Sequence, residues 1–161
     1  MSTTPAHPLE QLAFTVSGRI ARPVAEVYEA VADPAQLSQY FTTGGAEGRL
    51  DAGADVTWDF HDFPGAFPID VSETDPPRRI VIRWTAAAAV TAADGKTTVT
   101  FEFAPIDDGT RTLVTIIESA WLATAEGAKS AFGNSEGWTG MLAALKVWLE
   151  HGINLRDGFY S

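Results

Sequence analysis

The stretch EGWTGMLAALKVWLE (136–150) constrains this chain most. At about 100° per residue, Trp138, Met141, Leu142, Leu145, Trp148 and Leu149 fall on one stripe, with Glu136, Thr139, Ala143, Lys146 and Glu150 opposite. It is the one long helix in the pattern. An apolar stripe of that length has to be buried against another element. Gly137 and Gly140 flank Trp138, which predicts a flexible start to the helix, and residues 122–134 before it are expected to form an ordered loop.

The partner is written as strands. Leu12, Phe14, Val16 and Ile20 share one face against Gln11, Thr15, Ser17 and Arg19, the period of a half-buried strand. RPVAEVYEAVADP then shifts to helical spacing through Val24, Val27, Tyr28 and Val31, with Pro23 at a first helical position. Asp33-Pro34 ends that helix and starts a second as N-cap and N1, with Leu37, Tyr40 and Phe41 on its apolar face. Alternation returns at Val56, Trp58 and Phe60, at Phe67, Ile69 and Val71, at Ile80, Ile82 and Trp84, at Val99, Phe101 and Phe103, and over 112–119. Turn signals separate these runs: DFPG (62–65), Pro76-Pro77, Asp94-Gly95 and Asp107-Asp108-Gly109. The alanine run at 86–89 fits a strand end or a loop. Short turns between strands predict an antiparallel sheet. Residues 1–10, with Pro5 and Pro8 among small polar residues, are expected to be a flexible tail, and 11–161 one domain.

Composition removes several function classes. The formal net charge is −10, so the surface repels phosphate backbones and anionic membranes, and nucleic acid is not an expected partner. No cysteine is present, which excludes disulfides, thiolate nucleophiles and zinc-thiolate sites. His7, His61 and His151 are scattered, and no metal, phosphate-loop or nucleophile-elbow motif occurs, so no cofactor and no metal are expected. MSTTPAHPLEQ has neither a basic start nor an apolar run, and no apolar stretch reaches spanning length. A cytoplasmic protein without membrane insertion is the expectation.

IARPVAEVYEAVADPAQLSQYF (20–41), GTRTLVTIIES (109–119) and EGWTGMLAALKVWLE carry a resemblance over roughly residues 11–155 to the START-like superfamily. Within it the chain resembles the family of the activator of the ninety-kilodalton heat-shock protein's ATPase, in its single-domain bacterial form. It departs from the family's usual pattern at Tyr40-Phe41, often Trp-Phe there, and at HDFPGAFP (61–68), often a simple glycine hairpin. The resemblance implies an α+β helix-grip fold. In that fold a curved antiparallel sheet of about six to seven strands wraps a long C-terminal helix, with two short helices after the first strand. It also implies an apolar cavity between sheet and helix, though fold alone does not fix function.

The candidate site follows from those faces. Trp58, Phe60, Phe67, Trp84, Phe101 and Phe103 lie on apolar strand faces, and Trp138, Met141 and Leu145 on the helix stripe. Packed tightly they are core; curved apart they wall a ligand cavity. Glu118 shares a face with Val114 and Ile116 in one register, the one the resemblance favours, and is solvated in the other. Facing inward it would orient a polar ligand group or serve as acid or base. His61 and Asp62 are either a solvated hairpin tip or a rim pair touching a ligand's polar end. Arg83 is expected to pair with an acid on the sheet's outer face.

Three functions are consistent with this reading. The first is binding of a small hydrophobic ligand, aromatic or lipid-like. An alternative is a cyclase- or hydratase-type enzyme using a pocket carboxylate, with Glu118, Asp59 and His61 as candidates. A second alternative is a cochaperone that stimulates a heat-shock protein ATPase, with the chaperone as partner. The sequence leaves the oligomeric state open.

Overall fold

The computed structural model describes residues 10–86, 91 and 94–160. The predicted tail therefore lies outside the described residues except for Glu10, and so does most of the alanine-rich stretch. Strands β1 (Gln11–Ile20), β2 (Gly45–Glu47), β3 (Asp55–Phe60), β4 (Phe63–Asp75), β5 (Arg79–Thr85), β6 (Lys96–Ile106) and β7 (Arg111–Leu122) form one sheet. Its order is β1-β7-β6-β5-β4-β3-β2, so the first and last strands in sequence lie side by side. Every neighbouring pair is antiparallel. Helices α1 (Val24–Ala32) and α2 (Pro34–Tyr40) follow β1, and α3 (Ala125–His151) closes the fold. This is the helix-grip arrangement.

Local chemistry accounts for the short helices. The Asp33 side chain accepts from the Ala35 amide at 2.9 Å and caps α2, with Pro34 in its first turn. Pro23 sits one position earlier than the spacing suggests. It is the extended N-cap of α1, and its carbonyl accepts from the amides of Glu26 and Val27. The Tyr40 hydroxyl donates to the Ala30 carbonyl at 2.8 Å and ties the two helices together; burial pushes that phenol well above its ordinary pKa.

Two boundaries differ from the sequence reading. The turn between β3 and β4 is His61-Asp62, and Phe63 to Gly65 belong to β4. Phe60 pairs with Phe63 and Trp58 with Phe67, so an irregularity in the ladder absorbs Pro64 and Gly65. The larger correction is α3, which begins at Ala125 instead of after residue 134. Thr124 caps it, accepting from the Gly127 amide at 3.0 Å. Gly137 and Gly140 are thus mid-helix, and the predicted flexible start falls away. The core runs through Val27, Leu37, Ile80, Val99, Ile116 and Leu145, between the sheet and the C-terminal half of α3.

Candidate functional site

β7 carries the decisive geometry. Val114, Ile116 and Glu118 alternate inward and none has measurable exposure. Ala120 then takes a left-handed backbone, φ 72°, a conformation that costs an L-residue roughly 1–2 kcal/mol. The β1–β7 register shifts at this point: Leu12 faces Trp121 and Phe14 faces Glu118. The extra residue of this bulge brings Trp121 to the same face as Glu118, three positions on, where strict alternation would have sent it outward.

Glu118 is held by three elements. Its Oε2 accepts from Trp84 Nε1 of β5 at 2.7 Å and from Thr97 Oγ1 of β6 at 2.6 Å. Its Oε1 accepts from Asn134 Nδ2 and Trp138 Nε1 of α3 at 3.0 and 2.9 Å. A carboxylate offers about four lone-pair positions, and here protein donors face all of them. The side chain is a clamp between sheet and helix. Chemically it can hold two indoles in place, and it has no free lone pair for a proton or a ligand group.

The two indoles it fixes belong to an aromatic wall. Trp84 and Trp138 lie 5.2 Å apart between ring centres, Trp84 and Phe67 5.9 Å, and Phe67 stacks on Phe60 at 5.9 Å. Beside this wall is a cavity of about 790 Å³. Phe60, Phe67, Trp84 and Trp121 line it with Ser130 and Asn134 of α3. A compartment of about 240 Å³ shares Phe60, Trp84 and Asn134 with it and continues past Trp138 to Asp62 and Arg156. Phe63, 78% exposed, stands at the rim of both.

Of the candidate residues, Phe60, Phe67, Trp84 and Trp138 come together on the cavity walls, with Glu118 hydrogen-bonded to the two tryptophans. Trp58, Phe101, Phe103 and Leu145 are packed in the core. Trp58 meets Phe41 edge-on at 5.5 Å, Phe101 meets Trp138 at 5.5 Å, and Phe103 meets Tyr28 at 5.2 Å. Met141 is buried beside a void of about 80 Å³ under the C-terminal segment. Asp59 accepts from the Gly65 amide at 3.1 Å within the hairpin, and His61 is exposed. Arg83 pairs outside the sheet with Asp94.

That C-terminal segment is a strap. After Gly152 caps α3 with φ 68°, the chain folds back along the helix. A Cβ on Gly140 would lie 2.2 Å from the Tyr160 hydroxyl, so the missing side chain makes room for the strap. Arg156 reaches from it to the β3–β4 turn, where Nη2 donates to Asp62 Oδ1 at 3.0 Å and Oδ2 at 3.2 Å. Its guanidinium lies 5.4 Å from the ring centre of Phe41 and 4.9 Å from those of Phe60 and Tyr160.

Asn134, Ser130, Trp121 and Arg156 are the site residues that sequence reasoning missed. A Thr124 N-cap with Glu126 in the first turn was the available signal for the early start of α3, which would have placed Ser130 and Asn134 on a helix. No pattern in the sequence announces the bulge that turns Trp121 inward. Among the described residues no group of acids and histidines is placed to hold a metal ion, and no helix is long and apolar enough to cross a membrane.

Residues 21–150 match the protein family described as Activator of Hsp90 ATPase homolog 1-like protein. No curated protein is significantly similar in sequence. Solved structures share the frame. The protein SSP2350 from Staphylococcus saprophyticus superposes with a TM-score of 0.73 at 24% identity, over 90% of this chain and 96% of that one. The solution structure of the Aha1 dimer from Colwellia psychrerythraea gives 0.67 at 20% identity, over 88% and 98%. DynU16, a putative protein in the dynemicin biosynthetic locus, gives 0.69 at 26% identity; 90% of this chain covers 49% of that one.

Proposed function

We infer a binding function from one premise: the chain belongs to the Activator of Hsp90 ATPase homolog 1-like family, on the helix-grip fold. It holds a small apolar ligand, aromatic or lipid-like, in the cavity between the β3–β4 hairpin and the N-terminal half of α3. The observation that carries this reading is the cavity itself, about 790 Å³ with walls of Phe60, Phe67, Trp84 and Trp121. Small-molecule sites typically occupy about 300–1,000 Å³, with mostly apolar walls and a few placed polar groups. Ser130 and Asn134 are such groups here.

The acid–base alternative asks most of Glu118, and four protein donors already occupy that carboxylate. A proton transfer there would first have to break one of these bonds. The cochaperone alternative places function on the outer surface and assigns the cavity no role.

Neutral aromatic and aliphatic ligands should quench tryptophan emission saturably, because Trp84 and Trp121 border the cavity. Ser130→Phe projects a ring into that space from α3 and should weaken binding by roughly tenfold or more, a loss of about 1.4 kcal/mol. Undiminished binding in Ser130→Phe would place the ligand elsewhere. Absence of both quenching and thermal stabilisation across the panel would end the proposal.

A further inference from the structure

We propose that the smaller compartment makes the site selective for ligands whose apolar body ends in a carboxylate, with Arg156 as the group that reads it. This rests on the binding reading above and specifies what its polar end takes.

Arg156 is a charge drawn deep into an apolar setting. Its side chain is 11% exposed and packs against Phe41, Phe60 and Tyr160. A guanidinium offers five N–H donors, and its Nε–H and one Nη–H share an edge that matches the two oxygens of a carboxylate. Asp62 takes only half of that edge. Both its oxygens converge on Nη2 alone, and Nε is buried with no acceptor. Leaving a buried donor unmade is unfavourable, more so on a charged group. Arg156 is therefore paired for charge but unfinished in its hydrogen bonds.

The competitor is weakly held. Asp62 lies in the two-residue turn between β3 and β4 and its side chain is 32% exposed, so its carboxylate can turn to water once a ligand's carboxylate takes its place at the guanidinium. The cation remains caged by three rings wherever Asp62 points. Arg156 also lies where a ligand's end would fall. Phe60, Phe63, Trp84 and Asn134 border both compartments, so the smaller lies directly beside the larger, where the terminus of a bound body would enter it.

Charge decides between an acid and a neutral acceptor. A carbonyl or hydroxyl would supply one bond to Nε; a carboxylate supplies two bonds and the opposite charge, in surroundings where such bonds are roughly twice as strong as neutral ones. The molecule's net charge of −10 repels anions at a distance. Selectivity must then come from contact at Arg156, with little help from long-range steering.

The test compares matched pairs: 2-naphthoate against naphthalene-2-carboxamide, and decanoate against decan-1-ol. Each is titrated by tryptophan fluorescence and calorimetry at neutral pH. The carboxylate of at least one pair should bind roughly tenfold or more tightly, the scale of one charge-assisted hydrogen bond. The pair that shows it tells an aromatic acid from a fatty acid. Asp62→Asn, which keeps the shape and removes the competing charge, should widen the ratio. Arg156→Gln should bring it to about one, and Arg156→Lys, which keeps charge but loses the fork, should leave it in between. Equal affinities within both pairs in the unaltered protein, or a ratio that survives Arg156→Gln, would overturn the proposal. If neither member of either pair binds, the cavity reading itself fails, an outcome distinct from binding without preference. Should Arg156→Gln fail to fold, the Asp62→Asn and Arg156→Lys ratios still decide.

Discussion

Glu118 shows how much a single side chain can organise. Its partners come from β5, β6 and α3, and two of the four, the indoles of Trp84 and Trp138, can only donate. In Glu118→Gln the amide nitrogen faces either Trp84 with Thr97 or Trp138 with Asn134. The hydroxyl of Thr97 or the amide of Asn134 can turn round to accept, but an indole cannot. In either orientation an indole N–H faces an amide N–H and both lack an acceptor, which should lower unfolding stability by about 1–3 kcal/mol in urea titrations. Adding Trp84→Phe lets the amide point at Thr97 without an indole donor opposing it, so the double variant should lose less than the sum of the singles. An additive result would show that the clamp is not a unit. The neighbouring strain is testable in the same way. Ala120→Gly removes the left-handed penalty at φ 72° and should raise stability by about 0.5–1 kcal/mol, the net of that relief and glycine's greater entropy cost.

At the scale of the element, α3 has two halves with different duties. From Met141 to Leu149 its stripe seats in the core; from Ser130 to Trp138 it borders open space. Two of its glycines differ in what a side chain there would meet. A Cβ on Gly133 would meet nothing, so Gly133→Ala should stabilise the helix by about 0.5–1 kcal/mol in thermal unfolding. A Cβ on Gly140 would displace the Tyr160 hydroxyl, so Gly140→Ala should free the strap, seen as faster amide exchange over 153–160 while α3 stays protected. Unchanged exchange there would mean that Tyr160 does not anchor the strap. The same division explains what could be read from the sequence. The core half was legible because a stripe of large apolar residues repeats at helical spacing. AEGAKSAFGNSEG (125–137) was not, because it has no stripe of large apolar residues to repeat: Ser130, Gly133, Asn134 and Gly137 face cavities instead of a packed sheet.

Across the whole molecule, the frame was readable and the site only half so. Alternation along β1, β3 and β5 to β7, broken by turn residues, is enough to specify an antiparallel sheet with one buried face. The aromatics of that face divide between core and cavity according to the curvature of the sheet, which alternation does not encode; Trp58 and Trp84 look alike in the sequence. Electrostatics also act at this scale. Arg49 reaches from the segment after β2 to Glu29 of α1, and its hydrogen bond holds that carboxyl below its ordinary range, against the opposing effect of burial. A depressed carboxyl favours the fold above its unfolded-state pKa of about 4.3, and that contribution disappears as pH falls through the lower folded value. Glu29→Gln should therefore lower stability near neutrality and lessen its fall on acidification, measured by urea midpoints across pH 2–6. A parallel acid limb in the variant would contradict this.

The split along α3 also bears on descent. Changes near Ser130, Gly133 and Asn134 alter the volume and lining of the cavity, while the stripe from Met141 onward continues to hold the sheet. Cavity and scaffold can thus vary along separate stretches of one helix. A lineage built on this frame is free to reshape the hollow without first rebuilding the wall that holds it up.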